Sequence, residues 1–596
     1  MGLNAAGPVA SRDDQTPIVD FSPPDGSVPL RPQSQIEPGT DNATRTDQPQ
    51  PTAPFHGRAG RRATKGKFGL VVSVEPQATR VGVDVLESGG NAVDAAVAVA
   101  LSLAVTHPSA GNLGGGGFWL IHRNNEPTVA IDFRETAPAS LDRRRFSAMI
   151  RSGGNGIDSV GIPGTVAGLF EAHKRFGRLP WSRLALGAIR LAKAGHRVGA
   201  TEANALKKAW SSLKVNALAR QLFAVGNDRA PSVGAWVKRP ALGTTLETIR
   251  DQGPDGFYRG NVAESIVRAL GDGSQVSLQD LADYRARWRS PRRIAYRGLL
   301  IETMPLPSAG GVALSEALKL LEPFDIAKLR YNSASRVHLL LEIQRRADFD
   351  RASLATDPDQ LNASQLQSLE SRFSDGHAWD SFPIDPKRAT PNLREPPSAV
   401  ATESANTTHF SLVDADQMMV SATMTLSAAF GSKMVTDSGI TLNNTLASFS
   451  ETGPNQPHPR QRTTSSMAPT FLFDQAGPVL VLGTPGGDTI ASTLLEVLSN
   501  VIDFGMPLDE AVDAPRFHQS FAPDLTRYEA SHPLSATVRQ QLTKIGHHWD
   551  KIPGKQGHAN CILLANGVSY GYADPREGGL VLAARVGVNA AQQRRE

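Results

Sequence analysis

Residues 406–426 of the chain read NTTHFSLVDADQMMVSATMTL. Two runs of strand-forming residues flank the turn signal Asp414-Ala415-Asp416. This pattern predicts a β-hairpin, in which residues near positions 407 and 425 face each other across the two strands. If one residue of error in the register is allowed, Thr425 lies beside Thr407.

Thr407 opens the first of these strands directly after a long polar stretch, where a backbone bond could be exposed and strained. A threonine hydroxyl is a poor nucleophile unless a base lies next to it. If the peptide bond before Thr407 is cut, the new α-amine, with a pKa of about 8, becomes that base, and Thr425 could orient the hydroxyl. Threonines are also ordinary strand formers, and cross-strand threonine pairs are common for packing alone. Taken alone, this local sequence favours a packing role for the two threonines.

Two glycine-rich stretches indicate unusual backbone geometry. Residues 483–488 read GTPGGD and precede an apolar helical pattern. Successive glycines let backbone N–H groups converge on one point, as in an oxyanion hole. A phosphate-binding loop is the alternative, but no Gly-Lys-Ser/Thr follows. The four glycines from Gly114 to Gly117, just before a strand, predict the close approach of another backbone.

Two further motifs could bind a carboxylate. Arg134 follows a predicted strand, and a guanidinium there can clamp a substrate carboxylate through two hydrogen bonds. The alternative for Arg134 is a salt bridge with its neighbour Glu135. The hydroxyl-rich loop from Thr463 to Pro469 could bind a carboxylate or simply form a turn.

The composition excludes several classes of protein. A net charge of +4 over 596 residues, with 40% hydrophobic residues, does not indicate a nucleic-acid partner. The single cysteine, Cys561, excludes an internal disulfide, and we expect it to be a buried small hydrophobe. The zinc and calcium motifs and the Gly-x-Ser-x-Gly elbow are absent, so the sequence predicts neither a metal site nor an α/β-hydrolase. The longest apolar run, Ala95 to Val105, is too short to span a membrane, and the N-terminus lacks a signal-peptide pattern.

The composition also changes along the chain. Residues 1–65 are rich in Pro, Asp, Gln, Thr and Ser, which predicts a disordered extension, and its basic cluster from Arg58 to Lys67 is interpreted as a solvated linker. Helical patterns dominate from about 160 to 350, and residues 352–405 predict a mobile polar connector. Strand patterns follow from Thr407. We therefore expect one mixed sandwich assembled from both parts.

Taken together, these motifs resemble the γ-glutamyltransferase family over most of the chain, from about Gly69 to Asp574-Pro575-Arg576. Each motif is weak alone, but their order over this length is specific. The matching strings are Thr106 to Pro108, Gly111 to Phe118, Asp132 to Glu135, Pro163 to Gly168, Gly253 to Asp255, Ser308 to Gly311, Thr407 to His409, Leu442 to Asn444, Ser465 to Met467, Pro485 to Gly487 and Ala514 to His518.

The resemblance implies an α+β fold, the four-layer αββα sandwich of the Ntn-hydrolases. It further implies that the chain cleaves itself between Asn406 and Thr407. A large subunit of residues 66–406 and a small subunit of residues 407–596 would then form the sandwich jointly, as a heterodimer. Members of the family are usually periplasmic or secreted, and the sequence does not decide the compartment.

The family pattern also assigns roles to the motif residues. Thr407 attacks the carbonyl of a small γ-glutamyl amide of the glutathione type, and Thr425 supports its hydroxyl. The acyl group then passes to water or to an amino acid or peptide, and no cofactor is required. The other assigned residues are Gly486 and Gly487, which form the oxyanion hole, and Arg134, Ser465 and Ser466, which hold the substrate α-carboxylate.

Three positions depart from the family pattern. Typical members grip the substrate α-amino group with Asn, Gln and Asp, and the matching residues here are Ser427, Thr445 and Ser448. A charge-assisted contact of about 1.5–3 kcal/mol is therefore missing. A glutaryl group, which has no α-amine, is less penalised. Two alternatives thus stand beside γ-glutamyl transfer: a related amidohydrolase of the glutaryl or cephalosporin-acylase type, and a non-catalytic scaffold of the same fold.

Overall fold

The computed structural model describes Val19 and residues 49–374, 379–391, 406–550 and 554–585. Within these ranges the chain forms two seven-stranded sheets and two small two-stranded ones, all antiparallel. The strands, numbered in chain order, are β1 (Thr64–Gly66), β2 (Gly69–Ser73), β3 (Gly116–His122), β4 (Val129–Asp132), β5 (His196–Arg197), β6 (Trp236–Val237), β7 (Arg287–Arg289), β8 (Arg292–Tyr296), β9 (Leu299–Thr303), β10 (Thr407–Asp414), β11 (Met419–Thr425), β12 (Thr470–Asp474), β13 (Gly477–Leu482), β14 (Phe517–Ser520), β15 (Leu525–Tyr528), β16 (Asn560–Ala565), β17 (Val568–Ala573) and β18 (Leu580–Ala583).

Each large sheet combines strands from before and after residue 406. The first has the order β18-β2-β10-β11-β3-β4-β7, with the predicted hairpin β10–β11 inserted between β2 and β3. The second has the order β1-β17-β16-β13-β12-β9-β8. The expectation of one sandwich assembled from both parts of the chain is confirmed.

Helices cover the outer faces of the two large sheets. Helices α1 and α2 pack on the first sheet, and α13, α14 and α16 pack on the second. No helix in the described part of the chain is long and apolar enough to cross a membrane. The helices, numbered in chain order, are α1 (Pro76–Glu87), α2 (Ala92–Thr106), α3 (Arg143–Arg151), α4 (Thr165–Phe176), α5 (Trp181–Leu184), α6 (Leu186–Lys193), α7 (Ala200–Leu213), α8 (Ala217–Phe223), α9 (Pro240–Gln252), α10 (Asp255–Tyr258), α11 (Gly260–Leu270), α12 (Leu278–Asp283), α13 (Ala309–Leu321), α14 (Ala334–Leu354), α15 (Ala363–Ser374), α16 (Ile490–Ile502), α17 (Leu508–Asp513) and α18 (Ala536–Lys544).

Three apolar cores separate the layers. Val97 of α2 and Phe410 of β10 belong to the core between the first helical layer and the first sheet. Phe118 and Phe471 belong to the core between the two sheets, and Leu480 belongs to the core under the second helical layer. The order of layers is therefore helix, sheet, sheet, helix, which confirms the αββα architecture.

Helix α2 shows how local sequence determines one helix of the outer layer. The Asn91 side chain accepts from the Asp94 backbone N–H, and the Asp94 carboxylate accepts from the Asn91 backbone N–H, so the helix starts with a capping box. All of its residues are buried, as expected for a helix that is apolar on every side. The cap and the apolar run after it therefore determine α2 from local sequence alone.

Two predictions of disorder need correction. Residues before 65 were expected to be a disordered extension, but the Phe55 N–H donates to Asp474 and β1 pairs with β17. In the predicted connector, α15 packs through Phe373 into a small apolar cluster. Backbone pairing and a few apolar contacts hold these polar stretches. Most of residues 1–48 and residues 392–405 lie outside the described residues.

Candidate active site

Thr407 is the first residue of β10 and is only 7% exposed. The β10–β11 ladder places Thr407 opposite Thr425, so the predicted hairpin and its register are confirmed. The Thr407 hydroxyl donates to Thr425 Oγ1, and the two oxygens are 3.4 Å apart. The two hydroxyls therefore form a pair at one end of the two central strands.

The Thr425 hydroxyl also contacts the peptide bond that precedes Thr407. It donates to the carbonyl oxygen of Asn406 over 2.8 Å and accepts from the backbone N–H of Ser427 over 2.9 Å. A hydroxyl has one proton to donate. Since that proton goes to the Asn406 carbonyl, the Thr425 oxygen is left to accept from Thr407. One hydroxyl thus links the nucleophile candidate to the peptide carbonyl beside it.

Asn112 holds this end of β11 in place. Its side-chain N–H donates to the Thr425 carbonyl over 2.9 Å, and its Oδ1 accepts from the Gly115 N–H and from the Thr165 hydroxyl. A side chain on Gly115 would collide with the same carbonyl, so the predicted close backbone approach is confirmed. Asn112 lies two residues before the four glycines, but the sequence by itself gives no signal of this role.

A pocket of about 190 Å³ opens beside Thr407, and Asn406 and Gly486 also line it. Gly486 and Gly487 have φ angles of 147° and 60°, which favour glycine, and a Cβ on Gly486 would lie 2.6 Å from Thr489 Oγ1. A 3₁₀ turn starts at Gly487 and leads into α16. The positive end of the α16 dipole therefore lies at the pocket wall, where it favours negative charge.

His409 lies two residues after Thr407 along β10. Its Nδ1 is 2.9 Å from Thr423 Oγ1 and its Nε2 is 3.0 Å from Ser411 Oγ. Complete burial lowers the pKa of His409 to about 3, so the imidazole is neutral at physiological pH. It packs beneath Gly483, where a Cβ would collide with the ring.

Arg134 is fully buried and forms an ion pair with Glu135, so the predicted alternative of a neighbour salt bridge is present. Its guanidinium also donates to the Thr464 carbonyl over 3.4 Å, which brings Arg134 to the loop that contains Ser465. The Nε of Arg134 has no hydrogen-bond partner among the described residues. A buried guanidinium with a spare N–H remains able to bind a carboxylate.

The hydroxyls of Ser427 and Thr445 meet near this ion pair. Their oxygens are 3.0 Å apart, and the Thr445 hydroxyl donates to Glu135 Oε1 over 2.7 Å. Burial, the largest influence, raises the pKa of the Glu135 carboxyl, and Arg134 opposes this rise. A continuous chain of polar groups therefore runs from Arg134 through Glu135, Thr445 and Ser427 to Thr425. From the sequence, Glu135 was expected only as a partner for Arg134.

The remaining predicted site residues divide into two groups. Ser465 and Ser466 are buried beside the start of α13, where the Ser466 hydroxyl accepts from Arg351 over 3.1 Å. Ser448 is half-buried, and the contact it makes is through its carbonyl, which accepts from Asn455. Within the described residues, its side chain does not join the chain of polar groups.

Cys561 and the cluster of His338, Glu342 and His547 are two further candidates for chemistry, and neither lines the pocket beside Thr407. Cys561 is buried, and burial raises the pKa of its thiol to about 12, as expected for a small hydrophobe. His338, Glu342 and His547 offer potential ligand atoms within 4.8 Å of one another. His338 Nδ1 already lies 2.7 Å from His547 Nε2, and Glu342 accepts from Arg346. Internal hydrogen bonds therefore account for these atoms.

Comparison with known proteins agrees with this geometry. The family model described as gamma-glutamyltranspeptidase matches residues 78–584. The chain is 37% identical to the glutathione hydrolase proenzyme of Escherichia coli K12, over 86% of this chain and 91% of that protein. It is 35% identical to the glutathione hydrolase proenzyme of Pseudomonas aeruginosa, over 87% of this chain and 95% of that protein. The crystal structure of a cephalosporin acylase from Bacillus halodurans matches with a TM-score of 0.78 and 26% identity, covering 89% of this chain and 98% of that one. This chain is a member of the gamma-glutamyltranspeptidase family.

Proposed function

We propose that the chain cleaves itself between Asn406 and Thr407 and then hydrolyses or transfers the acyl group of small γ-glutamyl amides of the glutathione type. The observation that carries this proposal is the Thr425 hydroxyl, which joins the Thr407 hydroxyl to the Asn406 carbonyl. The names of the curated relatives, glutathione hydrolase proenzymes, support both the processing and the substrate class.

The same contacts suggest how the first cut occurs. The Thr407 oxygen attacks the carbonyl carbon of Asn406, and the carbonyl oxygen becomes negative. Thr425, which already donates to that oxygen, stabilises the charge. The Thr407 hydroxyl proton passes to the amide nitrogen, the C–N bond breaks to give an ester, and water hydrolyses the ester. The products are a carboxylate at Asn406 and a free α-amine on Thr407.

The free amine then serves as the base for turnover. Its pKa of about 8 leaves a useful neutral fraction at physiological pH, which can accept the proton of the Thr407 hydroxyl. The oxygen attacks the substrate carbonyl, and the N–H groups of Gly486 and Gly487 at the start of α16 receive the oxyanion. The substrate C–N bond then breaks, the amine leaves with the proton that the α-amine holds, and the resulting acyl-enzyme passes its acyl group to water or to another amine. None of these steps uses a cofactor.

The acyl group is held on the side of Thr407 that leads to Arg134. The spare Arg134 N–H, together with Ser465 and Ser466, suits the substrate α-carboxylate. Glu135 supplies a carboxylate at the head of the Ser427–Thr445 hydroxyl pair. This carboxylate can attract the substrate ammonium in place of the acidic residue that Ser448 replaces. We therefore propose γ-glutamyl amides, rather than glutaryl amides, as the first candidate substrate class.

A second candidate is an amidohydrolase for glutaryl amides. Ser427 and Thr445 are neutral and bond to each other, and Arg134 already pairs with Glu135. An acyl group with no ammonium would not need this carboxylate at all. Structural similarity to a cephalosporin acylase is compatible with this alternative.

The two cleavage fragments should remain together as a heterodimer. Both large sheets contain strands from before and after the cut, and the hairpin β10–β11 is hydrogen-bonded on both sides to strands of the first part. Separation of the fragments would break these ladders and expose the core between the sheets.

Turnover of two matched anilides tests the substrate class. We expect processed protein to release 4-nitroaniline from γ-glutamyl 4-nitroanilide faster than from glutaryl 4-nitroanilide. Glu135→Gln should slow the γ-glutamyl compound more than the glutaryl one, because only the first carries an ammonium. A preference for the glutaryl compound would favour the second candidate, whereas an uncut chain with no activity would favour a non-catalytic scaffold.

A further inference from the structure

The loop that carries Ser466 is held in place by the start of α13. The Gly310 N–H donates to the Ser465 carbonyl over 3.3 Å, and the Ser308 hydroxyl donates to the Met467 carbonyl over 2.7 Å. A Cβ on Gly310 would lie 2.0 Å from the Ser466 carbonyl oxygen, so the helix and the loop are in direct contact. Because the backbone on both sides of Ser466 is fixed, the main freedom left at this residue is the rotation of its hydroxyl.

Arg351, in the last turn of α14, sets this rotation. Its Nη1 donates to Ser466 Oγ over 3.1 Å. A guanidinium can only donate, and a hydroxyl has one proton of its own. The Ser466 oxygen therefore accepts from Arg351, and the Ser466 proton is directed to an acceptor on another side. A carboxylate, which only accepts, suits a hydroxyl held in this orientation.

The Arg351 guanidinium is itself fixed by Asp348. Asp348 Oδ1 accepts from Nε of Arg351 over 3.0 Å and from Nη2 over 2.7 Å, and Asp348 Oδ2 accepts from the Phe521 N–H over 2.9 Å. The two charged side chains are only 11% and 12% exposed. Two of the three guanidinium nitrogens thus bind Asp348, and this geometry aims the third at Ser466.

Two arginines approach this loop from different layers of the fold. Arg134 follows β4 of the first sheet and donates to the Thr464 carbonyl, whereas Arg351 belongs to α14, which packs on the second sheet. Each of these cations pairs with a carboxylate, Arg134 with Glu135 and Arg351 with Asp348. Since both positive charges are balanced, recognition of a further carboxylate depends on donors that are aimed at it rather than on a surplus of charge.

We propose that Arg351 is a positioning residue for the carboxylate of the acyl group. It directs the Ser466 proton toward that carboxylate and does not itself bind the substrate. Without Arg351 the hydroxyl can rotate, and its proton is no longer held toward the substrate. This inference deepens the proposed function and rests on it, but not on the choice of acyl group, because γ-glutamyl and glutaryl groups both carry this carboxylate.

Three donors that differ in their charged groups test the proposal. γ-Glutamyl 4-nitroanilide carries a carboxylate and an ammonium, glutaryl 4-nitroanilide carries only the carboxylate, and 4-aminobutanoyl 4-nitroanilide carries only the ammonium. Arg351→Met should raise KM for the first two compounds about three- to tenfold, as for the loss of one hydrogen bond, and leave kcat within about twofold. For the 4-aminobutanoyl compound, KM, or Ki where turnover is too slow to follow, should not change.

A double-mutant cycle shows whether Arg351 acts through Ser466. In a Ser466→Ala background, Arg351→Met should have no further effect on KM, because the hydroxyl that Arg351 positions is gone. An equal rise in both backgrounds would mean that Arg351 binds the carboxylate directly, and an equal rise for all three donors would mean that it only supports the fold. Either result, or KM values that do not change at all, would overturn this inference.

Arg351→Met leaves Asp348 without its cation, which lowers stability, so Asp348→Asn/Arg351→Met, which removes both charges, is a second variant with the same expected KM values. Arg297→Met is the matched control, since Arg297 pairs with Asp503 and donates to the Glu322 carbonyl at the opposite end of α13. It should also lower thermal stability but leave every KM unchanged. If processed wild type turns over neither γ-glutamyl nor glutaryl anilides, the proposed function fails, and this inference fails with it.

Discussion

Replacement of Thr425 by Val removes one hydroxyl and keeps the branched shape of the side chain. The variant loses the donor that lies 2.8 Å from the Asn406 carbonyl oxygen, on which negative charge develops during self-cleavage. Loss of one such donor typically slows a reaction about 10²- to 10³-fold, or roughly 2.7–4 kcal/mol. It also leaves the buried N–H of Ser427 without its acceptor, which lowers the free energy of unfolding by about 1–3 kcal/mol.

The rate of self-cleavage can be followed by electrophoresis of protein made in a short cell-free pulse. We expect Thr425→Val to accumulate as uncut chain while the wild type is processed, and Thr425→Ser, which keeps the hydroxyl, to stay within a few-fold of the wild type. Thermal unfolding of the uncut chains separates loss of chemistry from loss of folding.

Thr408→Val is the matched control for this experiment. Thr408 is the next residue of the same strand, and its buried hydroxyl has no hydrogen-bond partner among the described residues. The substitution should leave processing unchanged and the stability equal or higher. Cleavage of Thr425→Val at the wild-type rate, or equal slowing of both variants, would refute the role given to the Thr425 hydroxyl.

Three other predictions follow from the buried groups near the site. Arg134→Gln leaves Glu135 buried without its cation, so the free energy of unfolding, measured with heat or denaturant, should fall by about 3–5 kcal/mol. The KM for donors that carry a carboxylate should also rise. An unchanged free energy of unfolding would contradict this prediction. Gly486→Ala places a Cβ 2.6 Å from Thr489 Oγ1 at a φ of 147°, where an alanine is strained. The kcat of the processed variant should therefore fall at least about tenfold. A near-normal kcat would be inconsistent with a role of Gly486 in the oxyanion hole. Burial lowers the pKa of His409 from 6.5 to about 3. Between pH 6.5 and pH 3 the unfolded chain therefore binds a proton at His409 that the folded chain does not. As a result, the free energy of unfolding decreases as the pH falls through this window. The difference in unfolding free energy between the wild type and His409→Asn should therefore shrink by about 3 kcal/mol from pH 7 to pH 4, and a constant difference would contradict the neutral state.

The parts of the fold that follow from local pattern could be predicted from the sequence. The hairpin turn after Asp414 and the alternation of its strands specify the register that brings Thr425 opposite Thr407. The cap at Asn91 and the apolar sequence after it specify α2. In each case the signal and the structure that it sets are close together in the chain.

The contacts that join distant segments could not be predicted in this way. Glu135 lies next to Arg134 in sequence, but its contact with Thr445 spans 310 residues. Residues 52–65 are polar, yet contacts with distant residues such as Asp474 order part of them. Such contacts depend on tertiary packing, which composition and periodicity do not encode.

Intact mass spectrometry of the purified protein, before and after a brief incubation with a γ-glutamyl donor, tests the central claim most directly. We predict two polypeptides, the smaller one beginning at Thr407, and a gain of one acyl group on that residue after incubation. A single uncut chain that still turns over substrate, or an acyl group attached to any other residue, would contradict the account.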